Sequence, residues 1–101
     1  MPSIIKFNNI LSQAGNKLVV VDFTASWCGP CKMIGPNLAA DPANENVIFL
    51  KVDVDEASDV AGNCGIRAMP TFQFYKDRKM VDEFSGADKK KLEDKIKALR
   101  Q

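Results

Sequence analysis

The chain has no histidine and only three cysteines, and each scarcity narrows what it can do. A structural zinc site draws four ligands, typically from two cysteine pairs or from added histidines. Here Cys28 and Cys31 form one Cys-x-x-Cys pair and only Cys64 remains, so metal binding is the second reading of the pair. The odd count also excludes a complete disulfide framework. No apolar run approaches the roughly 20 residues of a membrane-spanning helix; the longest, LVVVDF, is interrupted by Asp22. The opening segment MPSIIKFNNIL lacks the charged start, apolar core and cleavage site of a secretory leader. A cytoplasmic setting, where thiols are kept reduced, is therefore expected. Charge of one sign is lacking too: 14 Lys and Arg stand against 13 Asp and Glu, which indicates no broad attraction to nucleic acid or anionic membrane. The basic stretch KKKLEDKIKALR reads as a solvated helix face with cations near its C-terminal end.

What is present suits one domain spanning residues 1–101. Apolar residues make up 46% and charged residues 27%, enough for a single core and too apolar for disorder. Phe7, Ile10, Leu11 and Ala14 follow helical spacing, Ile4 fits one turn earlier, and Gly15-Asn16 stops the helix. The β-branched run 18–24 predicts a central strand covered on both faces, and 47–53 predicts a second. Between them, Cys28 to about Ala40 reads as a helix interrupted by Pro36 and ended by Asp41-Pro42. A short helix is expected over 56–64, then a hairpin of strands 71–76 and 79–85 around Asp77-Arg78. Asp88 can cap a last helix whose Leu92, Ile96 and Leu99 point inward. This order predicts an α/β fold: a central mixed sheet, helices on both faces, and a parallel, right-handed crossover between the first two strands. The cysteine pair then falls just past the carboxyl end of the first strand, where open α/β sheets place their ligands.

A helix starting near Cys28 aims unpaired N–H groups and its dipole at that sulfur, which favours thiolate over thiol. Cys31, one turn in, is expected beneath it and more buried. Cys28 then attacks a substrate disulfide and Cys31 resolves the mixed disulfide. Gly29 and Pro30 suit the first turn of a helix, since Pro lacks an N–H that would be unpaired there.

The segments VVVDFTASWCGPCKMIGP, VIFLKVDVDE, AMPTFQFYK and EFSGA resemble the thioredoxin family, specifically its animal cytosolic type, over about residues 7–100. The resemblance implies the thioredoxin fold and general disulfide reduction, with re-reduction by NADPH-dependent thioredoxin reductase and no cofactor bound to the chain. It implies clients such as ribonucleotide reductase, peroxiredoxin and methionine sulfoxide reductase. Cys28 and Cys31 match the attacking and resolving thiols, Trp27 the flanking tryptophan, Asp22 the buried acid behind the disulfide, and Pro70 the cis-proline. Cis geometry would bring the Met69 backbone beside Cys28, free to pair with an extended client segment. Gly86 and Ala87 match a loop that completes the apolar docking surface with Pro30, Ala68 and Met69.

A lone acid in an apolar strand is costly unless paired, so burial is expected to raise the pKa of Asp22, and Lys51 on the neighbouring strand to limit the rise. A surface-facing Asp22 and a plain core Trp27 are the alternatives. The chain is about four residues short at its start against the family, so the first edge strand is expected to be truncated or absent. NLAADPANEN replaces a bulkier segment, Gly35 stands where lysine is common, and Ala57 and Ala68 occupy positions of two cysteines seen in animal relatives. Cys64 reads either as a half-buried small hydrophobe or as an exposed thiol that links two otherwise monomeric chains on oxidation. A disulfide oxidant or isomerase shares the fold, but Gly-Pro between the cysteines favours a reductant. A non-enzymatic binding module would have lost one of the two thiols.

Overall fold

The computed structural model describes residues 4–29, 31, 42–56, 58–65 and 68–100. The expected helix body after Cys31, with Gly35 and Pro36, lies outside the described residues, as do Pro30 and Ala57. Helix α1 (Ile4–Ala14) leads into strand β1 (Val19–Thr24), and Pro42–Asn44 form a 3-10 turn before strand β2 (Ile48–Asp53). Helix α2 (Ser58–Asn63), strands β3 (Thr71–Lys76) and β4 (Lys79–Ser85), and helix α3 (Lys89–Leu99) complete the order. Among the described residues no strand precedes α1, and the sheet has four strands in the order β2-β1-β3-β4.

β1 pairs parallel with β2 and antiparallel with β3, so the sheet is mixed and β1 is central. Val20, Phe72, Phe74 and Phe84 pack with Leu92 and Ile96 of α3 on one face. Val19, Val21, Phe23 and Val52 pack with Phe7, Leu11 and Ala14 of α1 and Val60 of α2 on the other. A strand buried on both faces explains why β1 carries no apolar-polar alternation. Phe23, Phe72 and Phe74 are almost wholly buried, and truncating any of them to Ala costs about 3–5 kcal/mol.

The hairpin turns on Asp77 and Arg78, both in the left-handed region at φ 51° and 68°, the conformation a two-residue turn of type I′ requires. The pairing of β3 with β4 shifts register between Phe74 and Tyr75, a bulge that twists the outer strand. Asp88 caps α3 as expected, its side chain accepting the Lys91 N–H at 3.0 Å. The 3-10 turn was not expected: Pro42 opens it, in keeping with a fixed φ and a missing N–H at the first position of a helix.

Candidate active site

The parallel strands β1 and β2 finish side by side, and the Val54 N–H donates to the Thr24 carbonyl at 2.9 Å just beyond them. At this carboxyl edge the chain turns over Ala25–Cys28, closed by the Cys28 N–H donating to the Ala25 carbonyl at 3.1 Å. Gly29 and Cys31 are helical, so Cys28 stands immediately before the turn. The N–H groups that open a helix have no partner within it, and a sulfur at this position is stabilised as thiolate.

Cys28 and Cys31 are joined in a disulfide with Cα atoms 5.4 Å apart. Ala25 packs with them, and half-buried Val54 and Met69 close over the cluster. Cys28 is 6% and Cys31 2% exposed, so in the disulfide form both residues are buried and the contrast in access is smaller than expected. Both belong to one small apolar cluster with Ala25, against which Met69 and Val54 pack.

Trp27 is 70% exposed on the flank of the disulfide, not part of the core. Its indole N–H donates to Asp55 Oδ2 at 3.0 Å. Asp55 is in turn set by Asp53, whose Oδ1 accepts the backbone N–H groups of Asp55 and Glu56 at 2.8 and 3.3 Å. Asp55 is a site residue that sequence reasoning missed. The acid-rich VDVDE after β2 was visible, but nothing in it shows which carboxylate meets the indole.

Across the disulfide, the Met69–Pro70 peptide is cis. Pro70 is buried, Met69 half-buried and Ala68 exposed. The Thr71 hydroxyl donates to the Ala68 carbonyl, and the Gly86 N–H donates to the Pro70 carbonyl at 2.9 Å. Gly86 sits at φ 106°, open to glycine and strained for other residues, so Gly86 and exposed Ala87 are brought beside the cis-proline loop by a backbone only glycine adopts readily. Thr71 is a second contributor the sequence reading passed over.

Asp22 lies in the middle of β1, in register with Lys51 of β2 and Phe72 of β3. Its Oδ1 is buried and finds no hydrogen-bond donor among the described residues. Burial raises its pKa from 3.8 to about 6, and the opposing charge of Lys51 limits the rise. Lys51 itself is exposed. Cys64, half-buried after α2, packs with the α1-side cluster and not with the disulfide. Burial raises its thiol pKa as well.

A redox-active Cys-x-x-Cys at the carboxyl edge of a mixed sheet, faced by a cis X-Pro loop, defines an α/β thiol–disulfide oxidoreductase. The family described as Thioredoxin matches residues 3–98. The chain belongs to the thioredoxin family and is a protein-disulfide reductase. Thioredoxin of Ictalurus punctatus is 56% identical over 93 residues, which cover 89% of this chain and 87% of that protein. The X-ray structure of Fasciola hepatica thioredoxin superposes with a TM-score of 0.90 at 41% identity, covering 96% of this chain and 94% of that one. A chain of the crystal structure of a ferredoxin:thioredoxin reductase and thioredoxin f2 complex gives a TM-score of 0.85 at 38% identity, covering 94% and 88%. Among the described residues no helix is long and apolar enough to cross a membrane.

Proposed function

We propose that the chain is a general cytoplasmic reductant of protein disulfides, recharged by NADPH-dependent thioredoxin reductase. The observation that carries this reading is the Cys28–Cys31 disulfide packed against Met69 of the cis-proline loop. In the reduced protein, the Cys28 thiolate attacks one sulfur of a client disulfide, and the first client thiolate leaves. The client is then held to Cys28 by a mixed disulfide. Cys31, once deprotonated, attacks Cys28 Sγ and expels the second client thiolate. The client gains two electrons and two protons overall, and this chain is left as the Cys28–Cys31 disulfide.

Asp22 serves the second attack as general base, taking the Cys31 proton through an intervening water. A carboxylate with pKa about 6 is a better base near neutral pH than an ordinary aspartate. Lys51 tunes that value by its charge. Trp27, Ala68, Met69, Pro70, Gly86 and Ala87 form the surface on which the client lies, and Gly29 opens the helical turn that follows Cys28. The backbone of Met69 pairs with an extended client segment in the manner of an added strand. A reductase partner is supported by the solved complex of ferredoxin:thioredoxin reductase with thioredoxin f2. Ribonucleotide reductase, peroxiredoxin and methionine sulfoxide reductase are the client classes the family resemblance points to.

Insulin reduction with NADPH and thioredoxin reductase tests the reading. Turbidity and NADPH consumption that depend on Cys28 are expected. A protein that oxidises dithiols under these conditions, or one that binds partners without consuming NADPH, would overturn it.

A further inference from the structure

Strand β3 carries a second pattern that the disulfide chemistry leaves unexplained. Phe72 and Phe74 face the α3 side, while Thr71, Gln73 and Tyr75 share the opposite face of the strand. Gln73 is only 1% exposed, in a position where an aliphatic side chain would fill the same space without polar demands. Its hydrogen-bonding capacity is nevertheless taken up. The amide nitrogen donates to the Cys64 carbonyl at 3.1 Å and to Glu83 Oε2 at 2.7 Å. The amide oxygen accepts the Tyr75 hydroxyl at 2.7 Å. Two acceptors on one side and a hydroxyl donor on the other leave a single orientation for the amide.

The Cys64 carbonyl follows the last turn of α2, where carbonyls have no partner within the helix. From there the chain passes through Gly65 to Ala68, Met69 and Pro70. Thr71, two residues from Gln73 and on the same face, holds the far end of that connection by donating to the Ala68 carbonyl. Both ends of the link between α2 and β3 are therefore tied to consecutive inward polar residues of one strand. Glu83 braces Gln73 from β4, and the Tyr75 ring is fixed edge-on against Phe7 at 5.7 Å.

We propose that Gln73 is a positioning residue for partner docking: it anchors the carbonyl after α2 and so fixes where the Ala68–Pro70 loop stands over the disulfide. The proposal rests on the reading of that loop as the docking surface. Gln73 touches neither sulfur and takes no part in proton transfer, so its removal acts on binding and not on the chemical steps. The amide group is what matters, since leucine can replace its bulk but not its three hydrogen bonds.

The test is steady-state reduction of the oxidised protein by thioredoxin reductase, followed as NADPH consumption. Gln73→Leu is compared with wild type and with Met69→Ala, a change in the loop itself. Near-ultraviolet circular dichroism verifies that each variant is folded. KM for Gln73→Leu is expected to rise about five-fold, the equivalent of one neutral hydrogen bond, with kcat unchanged. If Gln73→Leu does not fold, Tyr75→Phe removes one tether of the same amide and should raise KM about two-fold by the same reasoning. A folded Gln73→Leu (or, in its place, Tyr75→Phe) with wild-type KM, beside a raised KM for Met69→Ala, would overturn the role of Gln73 and leave the docking loop standing. Wild-type KM in both the Gln73 and Met69 variants would remove the docking loop and the Gln73 proposal together. A fall in kcat at unchanged KM would also overturn the proposal.

Discussion

Asp22 and Gln73 lie on neighbouring strands in the middle of one sheet, each a polar side chain among apolar ones, yet their surroundings treat them in opposite ways. Asp22, on the α3 side, keeps a buried oxygen with no donor among the described residues and a pKa raised to about 6. Gln73, on the α1 side, has its amide oxygen and nitrogen bonded to Tyr75, Cys64 and Glu83. A satisfied buried amide fixes geometry, whereas an unsatisfied buried carboxylate stores a tendency to take up a proton. On the roles proposed above, the contrast separates a group that holds the scaffold from a group reserved for chemistry.

The largest effects are expected at the two thiols themselves. Cys31→Ser is expected to trap mixed disulfides between Cys28 and clients, visible on non-reducing gels, while Cys28→Ser should trap none. Trapping by Cys28→Ser would reverse the two roles and cut the link between Asp22 and the resolving thiol.

Stability should move in opposite directions at the two positions. Asp22 in the unfolded chain ionises near pH 3.8 but in the fold near 6. Between those values Asp22 binds more proton in the folded chain than in the unfolded one, so its contribution to stability is full below about pH 4 and is lost as pH rises to about 6. Above that, Asp22 adds no further pH dependence. Asp22→Asn removes this loss and should stabilise the protein at pH 7 by about 2 kcal/mol, discounted for partial solvent access. Gln73→Leu, by taking the amide donor from the Cys64 carbonyl and leaving the Tyr75 hydroxyl with only the Cys64 thiol, should destabilise it by about 1–3 kcal/mol. Urea unfolding at pH 4 and pH 7 measures both. Destabilisation by Asp22→Asn at pH 7 would erase the contrast.

Much of this arrangement is legible in the amino-acid sequence. The unbroken apolar run of β1 required cover on both faces, and the sheet supplies it with α3 on one side and α1 with α2 on the other. The hairpin, the Asp88 cap and the cysteine pair past the end of β1 follow from local spacing and turn chemistry. The raised pKa of Asp22 follows from placing an acid within that run. The partners of long-range polar contacts were not readable. Asp55 meets Trp27 across 28 positions, and Gln73 meets Cys64 and Glu83 across 9 and 10, because tertiary register and not local pattern selects those pairs. The modest difference in exposure between Cys28 and Cys31 goes with their burial in one cluster against Met69 and Val54, contacts that spacing alone does not reveal.

Two smaller effects sharpen the picture around the site. Asp55→Ala should free the exposed indole of Trp27, changing its fluorescence and raising KM for the reductase about two- to three-fold, the scale of one exposed hydrogen bond. Unchanged fluorescence would mean that Asp55 does not hold the ring in solution. Lys51→Met, which deletes the cation that lowers the Asp22 pKa, should move the Asp22 part of the pH dependence of stability upward. An unmoved profile would show that Lys51 does not act on Asp22.

The assignment of Asp22 to the resolving step is tested most directly by single-turnover kinetics of Asp22→Asn against wild type at pH 7. A client disulfide is mixed with the fully reduced protein, and the first client thiol released is timed separately from the second. The first release is expected to keep its wild-type rate, and the second to slow by about 100-fold, the lower range for losing a positioned general base. Wild-type rates for both releases in the folded variant would contradict a role for Asp22 in deprotonating Cys31.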